Sequence, residues 1–208
     1  MDDRSSMSSS AEKDAIAQEF KAQMWILGGL VAVMWVIEIL DQFVFRVGLR
    51  ETLDIYGIIP RHVIGLRGIL FAPFLHGNFA HLISNTVPFI ALGWLIMLRE
   101  TSDFFWVSLI AGFVSGLGTW LFGSPGVHIG ASGVIFGYLG YLLARSYFER
   151  SMTAIAISLF VGVLYGSLIW GVLPSRIGIS WEGHLFGFIG GVLAAKLLTP
   201  KKGVGDRV

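Results

Sequence analysis

The 208-residue sequence contains no cysteine, and charged residues make up only 14% of it. The absence of cysteine excludes disulfides, thiol nucleophiles and cysteine metal sites. Soluble domains carry about 25% charged residues and about 45–50% apolar residues. Here 54% of the residues are hydrophobic, and the mean hydropathy is +0.72. The excess apolar surface must face something other than water, and a lipid bilayer is the simplest answer.

Strong net charge is also missing, since the formal net charge is +1 and the chain has no basic stripe or run of like charges. Nucleic acid is therefore excluded as a partner. The N-terminal segment MDDRSSMSSS has no basic region, and the first apolar run is too long for a secretory signal, so none is predicted. The five histidines show no metal-ligand spacing and no His-Glu-x-x-His motif, so neither metal nor cofactor is predicted.

Six apolar segments have close to the ~20 residues that a helix needs to cross a bilayer. They lie at 24–45, 79–98, 104–123, 130–147, 153–172 and 183–199. They are too long and too uniformly apolar for barrel strands, and backbone groups in lipid must be hydrogen-bonded internally. The sequence therefore predicts an all-α polytopic membrane protein, a bundle of six transmembrane helices.

The remaining segments are one long loop and two tails. Residues 46–78 are apolar with scattered arginines and prolines, which predicts a loop between the first two helices that is partly embedded in the membrane interface. Residues 1–20 are predicted to be a disordered tail, residues 21–199 a single six-helix domain, and residues 200–208 a second tail. No repeat or second domain is visible.

The distribution of Lys and Arg predicts the orientation, because these residues are enriched in cytoplasmic loops. With six spans, both termini and the loops near 99–103 and 148–152 share one side, which carries ten Lys and Arg residues against five on the other. The ten are Arg4, Lys13, Lys21, Arg99, Arg145, Arg150, Lys196, Lys201, Lys202 and Arg207, and the five are Arg46, Arg50, Arg61, Arg67 and Arg176. Both termini are expected in the cytoplasm of a bacterial inner-membrane protein.

His81 and Asn85 lie four residues apart at the start of the second span, in HGNFAHLISN. This spacing puts both side chains on one helix face, and both can donate hydrogen bonds. Polar residues in spans are costly and commonly functional, although they also hold helices together. His76, five residues before His81, is off that face and is predicted to lie in the loop.

Ser132 stands at the first turn of the fourth span, in GASGVIFG. A helix start has free N–H groups and a partial positive charge, so an oxyanion formed beside Ser132 would meet donors. Gly130 lets the chain turn tightly just before the helix, and Gly133 and Gly137 form a face on which another helix can pack. Taken alone, Ser132 is equally consistent with a packing residue or an N-cap.

His184 lies at the start of the sixth span, in WEGHLFGFIGG, beside a ridge of Gly183, Gly187 and Gly191. A structural histidine is an equally good interpretation of it alone. Two glycine ridges, however, would let the fourth and sixth helices pack closely and bring Ser132 within hydrogen-bond reach of His184. That arrangement activates a serine nucleophile. No carboxylate is placed to orient His184, since Glu182 is expected to point away, so the sequence predicts a dyad.

These motifs resemble those of the rhomboid intramembrane serine proteases. The matching residues are His81-x-x-x-Asn85 in the second span, Gly130-Ala131-Ser132-Gly133 at the fourth, and Gly183-His184-x-x-Gly187-x-x-x-Gly191 in the sixth. The resemblance runs from about Trp25 to Thr199. It implies cleavage of transmembrane protein substrates, among membrane lipids, near the extracytoplasmic face.

The resemblance also implies roles for individual residues. Ser132 is the nucleophile, His184 the general base, and His81, Asn85 and the Ser132 N–H the oxyanion hole. His76 matches a loop histidine of the family.

Two positions depart from the family pattern. Phe136 replaces a tyrosine that many members have four residues after the serine, and activity is expected to survive the change. Arg67 falls near a tryptophan–arginine loop motif whose tryptophan is missing.

Three other interpretations are weaker. GVGD, residues 203–206, matches the Gly-x-Gly-Asp of intramembrane aspartyl proteases but has no partner aspartate in a span. A transporter would show acids near mid-bilayer or repeated broken helices. An inactive rhomboid-like protein that binds membrane clients is the main alternative, but such proteins usually lack the serine or the histidine. The oligomeric state is not predictable from the sequence.

Overall fold

A computed structural model describes residues 3–174 and 180–199, with side chains from residue 12 onward. This part of the chain is helical, without strands, apart from an isolated bridge between Ile58 and His128. The α-helices are α1 (Asp3–Leu40), α2 (Gly68–Phe71), α3 (Phe79–Met97), α4 (Thr101–Phe122), α5 (Ser132–Glu149), α6 (Met152–Tyr165) and α7 (Trp181–Leu198). A π-helix, Asp41–Leu49, continues α1, and a 3₁₀-helix, Gly166–Val172, continues α6. Arg176 and the tail 200–208 lie outside the described residues.

Each long helix overlaps an apolar segment predicted from the sequence. Four stretches are long and apolar enough to cross a membrane, namely Glu12–Leu49, Phe79–Met97, Thr101–Phe122 and Met152–Val172. Helices α5 and α7, the predicted fourth and sixth spans, do not meet that criterion. Both carry several glycines, and the glycine-bearing faces of the two helices are buried against neighbouring helices.

Helix α1 begins at Asp3, within the segment predicted to be a disordered tail. Residues 11–23 contain Ala, Glu, Lys and Gln at most positions, and these are strong helix formers. The membrane helix therefore extends toward the N-terminus instead of starting near residue 24.

The division of the chain into a six-helix domain at residues 21–199 and two tails stays a prediction.

The segment between α1 and α3 is a series of short helical turns. Besides α2, it contains the 3₁₀-helices Leu53–Tyr56, Val63–Arg67 and Ala72–Phe74. Its start is fixed to the end of α1 because Arg46 pairs with Asp41 at 2.6 Å and with Asp54 at 2.5 Å. Farther along, the Gly130 N–H donates to Ala72 O at 2.8 Å, which fixes the segment against the turn before α5.

The centre of the bundle is α5, whose most extensive contact is with α7. Helix α4 also makes its most extensive contact with α7. The approach is backbone to backbone. A Cβ atom on Gly187 would lie 2.0 Å from Gly133 O, and one on Gly191 would lie 1.8 Å from Gly137 O. Only glycine fits at such distances, so the two predicted ridges do meet. Helix α6 is packed more loosely, with Ala154 and Val161 as its buried residues.

Candidate active site

Ser132 and His184 meet across the α5–α7 contact. Their hydrogen bond, between Ser132 Oγ and His184 Nε2, is 2.8 Å long. The other ring nitrogen, Nδ1, is 2.9 Å from Gly171 O. A carbonyl can only accept, so Nδ1 carries the proton and Nε2 accepts from the serine hydroxyl. This tautomer is the one that can remove a proton from Ser132.

Phe136 fixes the ring plane of His184. The two rings are stacked, with their centroids 4.1 Å apart and an angle of 4° between their planes. Gly171 completes the contact, because a Cβ there would lie 2.7 Å from Phe136 Cζ and 3.3 Å from His184 Nδ1. The imidazole is thus held by a ring on one face and by a carbonyl at Nδ1, and no carboxylate bonds to it among the residues that the structure describes.

His81 and Asn85 lie beside Gly130, two residues before Ser132. A Cβ on Gly130 would lie 2.8 Å from His81 Nε2 and 3.8 Å from Asn85 Nδ2. Gly130 has a φ of +111°, which favours glycine, so this residue both makes the turn and leaves space for the His81 ring. The two donors therefore line the turn that leads into the nucleophile helix.

His76 is buried, with 1% of its surface exposed, and lies outside the membrane-spanning helices. Its ring packs edge-on against that of His81, with the centroids 5.0 Å apart. Neither ring nitrogen has a hydrogen-bond partner among the described residues. Burial, assisted by the neighbouring His81, lowers the pKa of His76 to about 4. His76 therefore supports His81 as a neutral ring.

Replacing His76 by glutamine is expected to flatten the pH dependence of stability between about pH 4 and 6.5. In this window the unfolded chain binds a proton at residue 76 that the folded chain does not, so the free energy of unfolding falls as the pH falls. The difference in pKa corresponds to at most about 3 kcal/mol. Thermal unfolding in detergent across this range measures the slope. His62→Gln, at an exposed loop position, should keep the wild-type slope, and an unchanged slope in His76→Gln would contradict a neutral His76.

A cavity of about 740 Å³ opens beside these residues, and its lining includes His81, Asn85, Ser132 and His184. Gly133 and Gly187 do not line it but set its shape through the helix contact. Ser115 Oγ donates to Gly183 O at 2.8 Å and ties α4 to the start of α7. The site is therefore assembled from four helices that polar and glycine contacts hold together.

A second serine–histidine pair lies in the same cavity and was not anticipated from the sequence. His128 Nδ1 is 2.7 Å from Ser180 Oγ, and His128 Nε2 is 2.8 Å from Ser124 O. The signal was the spacing, since His128 precedes Ser132 by four residues and Ser180 precedes His184 by four. The two pairs are separate, since Ser180 Oγ bonds to His128 and Ser132 Oγ bonds to His184.

Glu182 belongs to this second network. Its carboxylate accepts hydrogen bonds from Ser124 N at 2.8 Å and Ser124 Oγ at 2.6 Å, and so ties α7 to the loop before α5. It does not bond to His184 Nδ1, which Gly171 O occupies. Among the residues that the structure describes, no group of three His, Asp or Glu side chains could hold a metal ion.

Comparison with known proteins gives a consistent result. The Rhomboid domain model matches residues 65–201. The uncharacterized protein Rv1337 of Mycobacterium tuberculosis is 42% identical over 196 residues, which is 88% of this chain and 80% of that protein. Rhomboid protease GluP of Bacillus subtilis is 35% identical over 132 residues, 62% of this chain and 25% of that protein. RHOMBOID-like protein 4 of Arabidopsis thaliana is 30% identical over 139 residues, 62% of this chain and 33% of that protein.

The match to the family model covers more than half of the chain, including the segments that carry Ser132 and His184. Rhomboid proteins are generally intramembrane serine proteases that act on transmembrane substrates. The four stretches able to cross a bilayer agree with a multi-pass membrane protein. The chain therefore belongs to the rhomboid family.

Proposed function

We propose that the protein is an intramembrane serine endopeptidase that cleaves transmembrane segments of other proteins with a Ser132–His184 dyad. The observation that carries the proposal is the 2.8 Å hydrogen bond from Ser132 Oγ to the unprotonated Nε2 of His184. Six membrane crossings, with both termini cytoplasmic and the cavity open to the extracytoplasmic side, are part of the same proposal. No metal or cofactor is required.

In the first step, Ser132 Oγ attacks the scissile carbonyl carbon while His184 Nε2 takes the hydroxyl proton. His184 then gives this proton to the leaving amine, and an acyl-enzyme remains on Ser132. A water molecule, activated by the same nitrogen, attacks the ester and releases the new carboxyl terminus. The Gly171 carbonyl keeps the Nδ1 proton in place throughout and thereby fixes the direction of Nε2.

The negative charge on the tetrahedral intermediate is stabilised by three donors, the Ser132 N–H and the side chains of His81 and Asn85. The Ser132 N–H lies at the positive end of the α5 dipole. Asn85 Nδ2 donates to His81 O at 3.0 Å, which holds the amide in place on α3 while leaving it a second hydrogen to donate. Such preorganised donors are worth about 10²–10³-fold each in rate.

The substrate helix must partly unwind before it reacts, because a helical carbonyl is already hydrogen-bonded and shielded. Small, helix-destabilising residues are therefore expected near the cut. Water reaches Ser132 through the polar-lined cavity, which also contains Ser124, His128 and Ser180. These groups allow water to stay at a depth where lipid would exclude it.

The test uses purified protein in detergent with a fluorophosphonate probe and a transmembrane reporter. The wild type should label and cleave, Ser132→Ala should do neither, and Ser180→Ala should keep both. If Ser132→Ala is still labelled, and the label is found on Ser180, then Ser132 is not the nucleophile and the proposal is wrong. A wild type that binds the reporter without cleavage or labelling would support the alternative, an inactive rhomboid-like protein that binds membrane clients.

The phenylalanine at position 136 gives a further prediction. Phe136→Leu removes the ring stacked on His184, and cleavage should fall about two- to tenfold, because such aromatic pairs contribute roughly 0.5–1.5 kcal/mol. Phe136→Tyr keeps the ring and is the matched control, with activity similar to the wild type. Initial cleavage rates at saturating reporter measure both. An inactive wild type beside an active Phe136→Tyr would contradict the proposal that the hydroxyl is dispensable.

A further inference from the structure

A second cavity lies on the other side of the turn that precedes α5. It has a volume of about 650 Å³, within the roughly 300–1,000 Å³ of ligand sites. The short-helix segment 63–74 forms one wall, and α1, α3, α4 and α5 form the others. The cavity contains neither Ser132 nor His184, and the proposed protease mechanism does not use it.

The lining of this cavity is mostly apolar, and its edge is exposed on the surface of the bundle. Leu70, Leu109 and Phe113 stand at its edge with 68%, 62% and 55% of their surfaces exposed. The hydroxyl groups among the lining residues, on Ser108 and Tyr138, bond to each other at 2.7 Å and need no other partner. These surroundings fit a hydrocarbon chain.

Arg67 supplies a charge in this otherwise apolar lining. Its Nη2 donates to Ile55 O at 2.8 Å, and its guanidinium lies 4.5 Å from the centroid of the Tyr56 ring. Its Nε is buried without a partner, and no carboxylate pairs with it among the described residues. A guanidinium in apolar surroundings is stabilised by an anion, and its planar fork matches phosphate oxygens.

We propose that this cavity binds a phospholipid, with one acyl chain in the apolar groove and the headgroup phosphate paired with Arg67. Both parts of the ligand are needed to explain the site, because a hydrocarbon chain alone leaves the Arg67 charge without a counter-ion. Phosphate is the group that phospholipid headgroups share, and an arginine fork can bind it through two parallel hydrogen bonds. A phospholipid is also present at high local concentration wherever the protein resides.

Lipid bound here would support the segment that positions Ser132. Ala131, fully buried beside the nucleophile, is part of the cavity wall, and Ala72 O, at the end of the opposite wall, accepts the Gly130 N–H. An empty groove leaves this wall unsupported on its membrane side. Occupancy should therefore raise thermal stability whether or not the protein is a protease.

The experiment titrates delipidated full-length protein in detergent with palmitoyl-oleoyl phosphatidylglycerol or with the diacylglycerol that has the same chains. Native mass spectrometry should show one tightly bound phosphatidylglycerol, at least tenfold tighter than diacylglycerol. Arg67→Gln should remove this difference, Arg67→Lys should retain part of it, and Arg50→Gln, an exposed arginine at the end of the π-helix, should leave it unchanged. Equal binding of both lipids by the wild type would overturn the phosphate contact.

The groove is tested separately with Leu109→Trp, which fills it from an exposed position, so that folding is not at risk. Both lipids should bind at least tenfold more weakly, and the rise in melting temperature with phosphatidylglycerol should disappear. Leu159→Trp, on the lipid-facing side of α6 and 66% exposed, is the matched control. Unchanged binding in Leu109→Trp would show that the lipid lies elsewhere. Dimers of the wild type that Leu109→Trp dissociates would assign the groove to a second copy and overturn the proposal.

Discussion

Ser132→Ala, His184→Ala and the double variant are expected to cleave a transmembrane reporter at the same residual rate, about 10⁴-fold or more below the wild type. The two side chains act as one unit, because His184 has no proton to accept without the hydroxyl and the hydroxyl is a weak nucleophile without the base. Losses from such a unit are far from additive, so the second substitution should cost nothing more. Single-turnover cleavage rates in detergent measure all three.

The matched control for this series is Ser180→Ala, which removes the serine of the other pair in the same cavity. It should keep most of the wild-type rate, because Ser180 bonds to His128 and is not part of the Ser132–His184 pair. Melting temperatures confirm that each variant is folded. A double variant much slower than either single one would mean that Ser132 and His184 act separately, which contradicts a dyad.

Gly187→Ala is expected to disrupt both stability and activity through a single methyl group. The new Cβ would lie 2.0 Å from Gly133 O, a backbone atom one residue after the nucleophile, so α5 and α7 must move apart. Overpacking of this kind costs about 1–3 kcal/mol, which corresponds to a fall in melting temperature of very roughly 2–10 °C. The Ser132–His184 distance should grow, and cleavage at a temperature where the variant is folded should fall at least tenfold.

Gly28→Ala is the matched control, because it adds the same methyl group at a helix position where there is space for it. No atom lies within 4 Å of a Cβ at Gly28, and alanine is favoured over glycine in a helix by about 1 kcal/mol. Its melting temperature should be unchanged or higher, with wild-type cleavage. If Gly187→Ala matches Gly28→Ala in both measurements, the glycine contact does not position the dyad.

Much of the helix pattern was predictable, because a bilayer imposes a length and a composition on what crosses it. The apolar segments at 79–98 and 104–123 agree with α3 and α4 within a few residues. The glycine spacing also predicted which helices would meet, since a Gly-x-x-x-Gly face is useful only against another backbone. The start of α1 was missed because membrane hydropathy does not report helix propensity in a polar segment such as residues 11–23.

The parts of the candidate site that stand in sequence motifs could be predicted. The parts that depend on how a loop runs through space could not. Ser132 and His184 are 52 positions apart, and the resemblance to a family supplied what spacing alone could not decide. The role of Gly171 O had no signal, because any residue offers a carbonyl and only the path of the chain after α6 brings this one to His184. The pair of His128 and Ser180 was overlooked because its signal, a four-residue spacing from Ser132 and from His184, is not a recognisable motif.

The carbonyl that orients His184 has a consequence for how the proposed protease activity would respond to acidity. An aspartate in that place would be a second ionisable partner and would pair with the imidazolium that forms during the reaction, whereas a peptide oxygen is uncharged at every pH. The acidic limb of a cleavage-rate profile should therefore report protonation of His184 Nε2 and of the neighbouring His81, with no carboxylate at Nδ1 contributing. In the proposed mechanism, the imidazolium must instead be stabilised by dipoles and by water in the cavity. The strength of His184 as a base therefore depends on how well water fills the cavity.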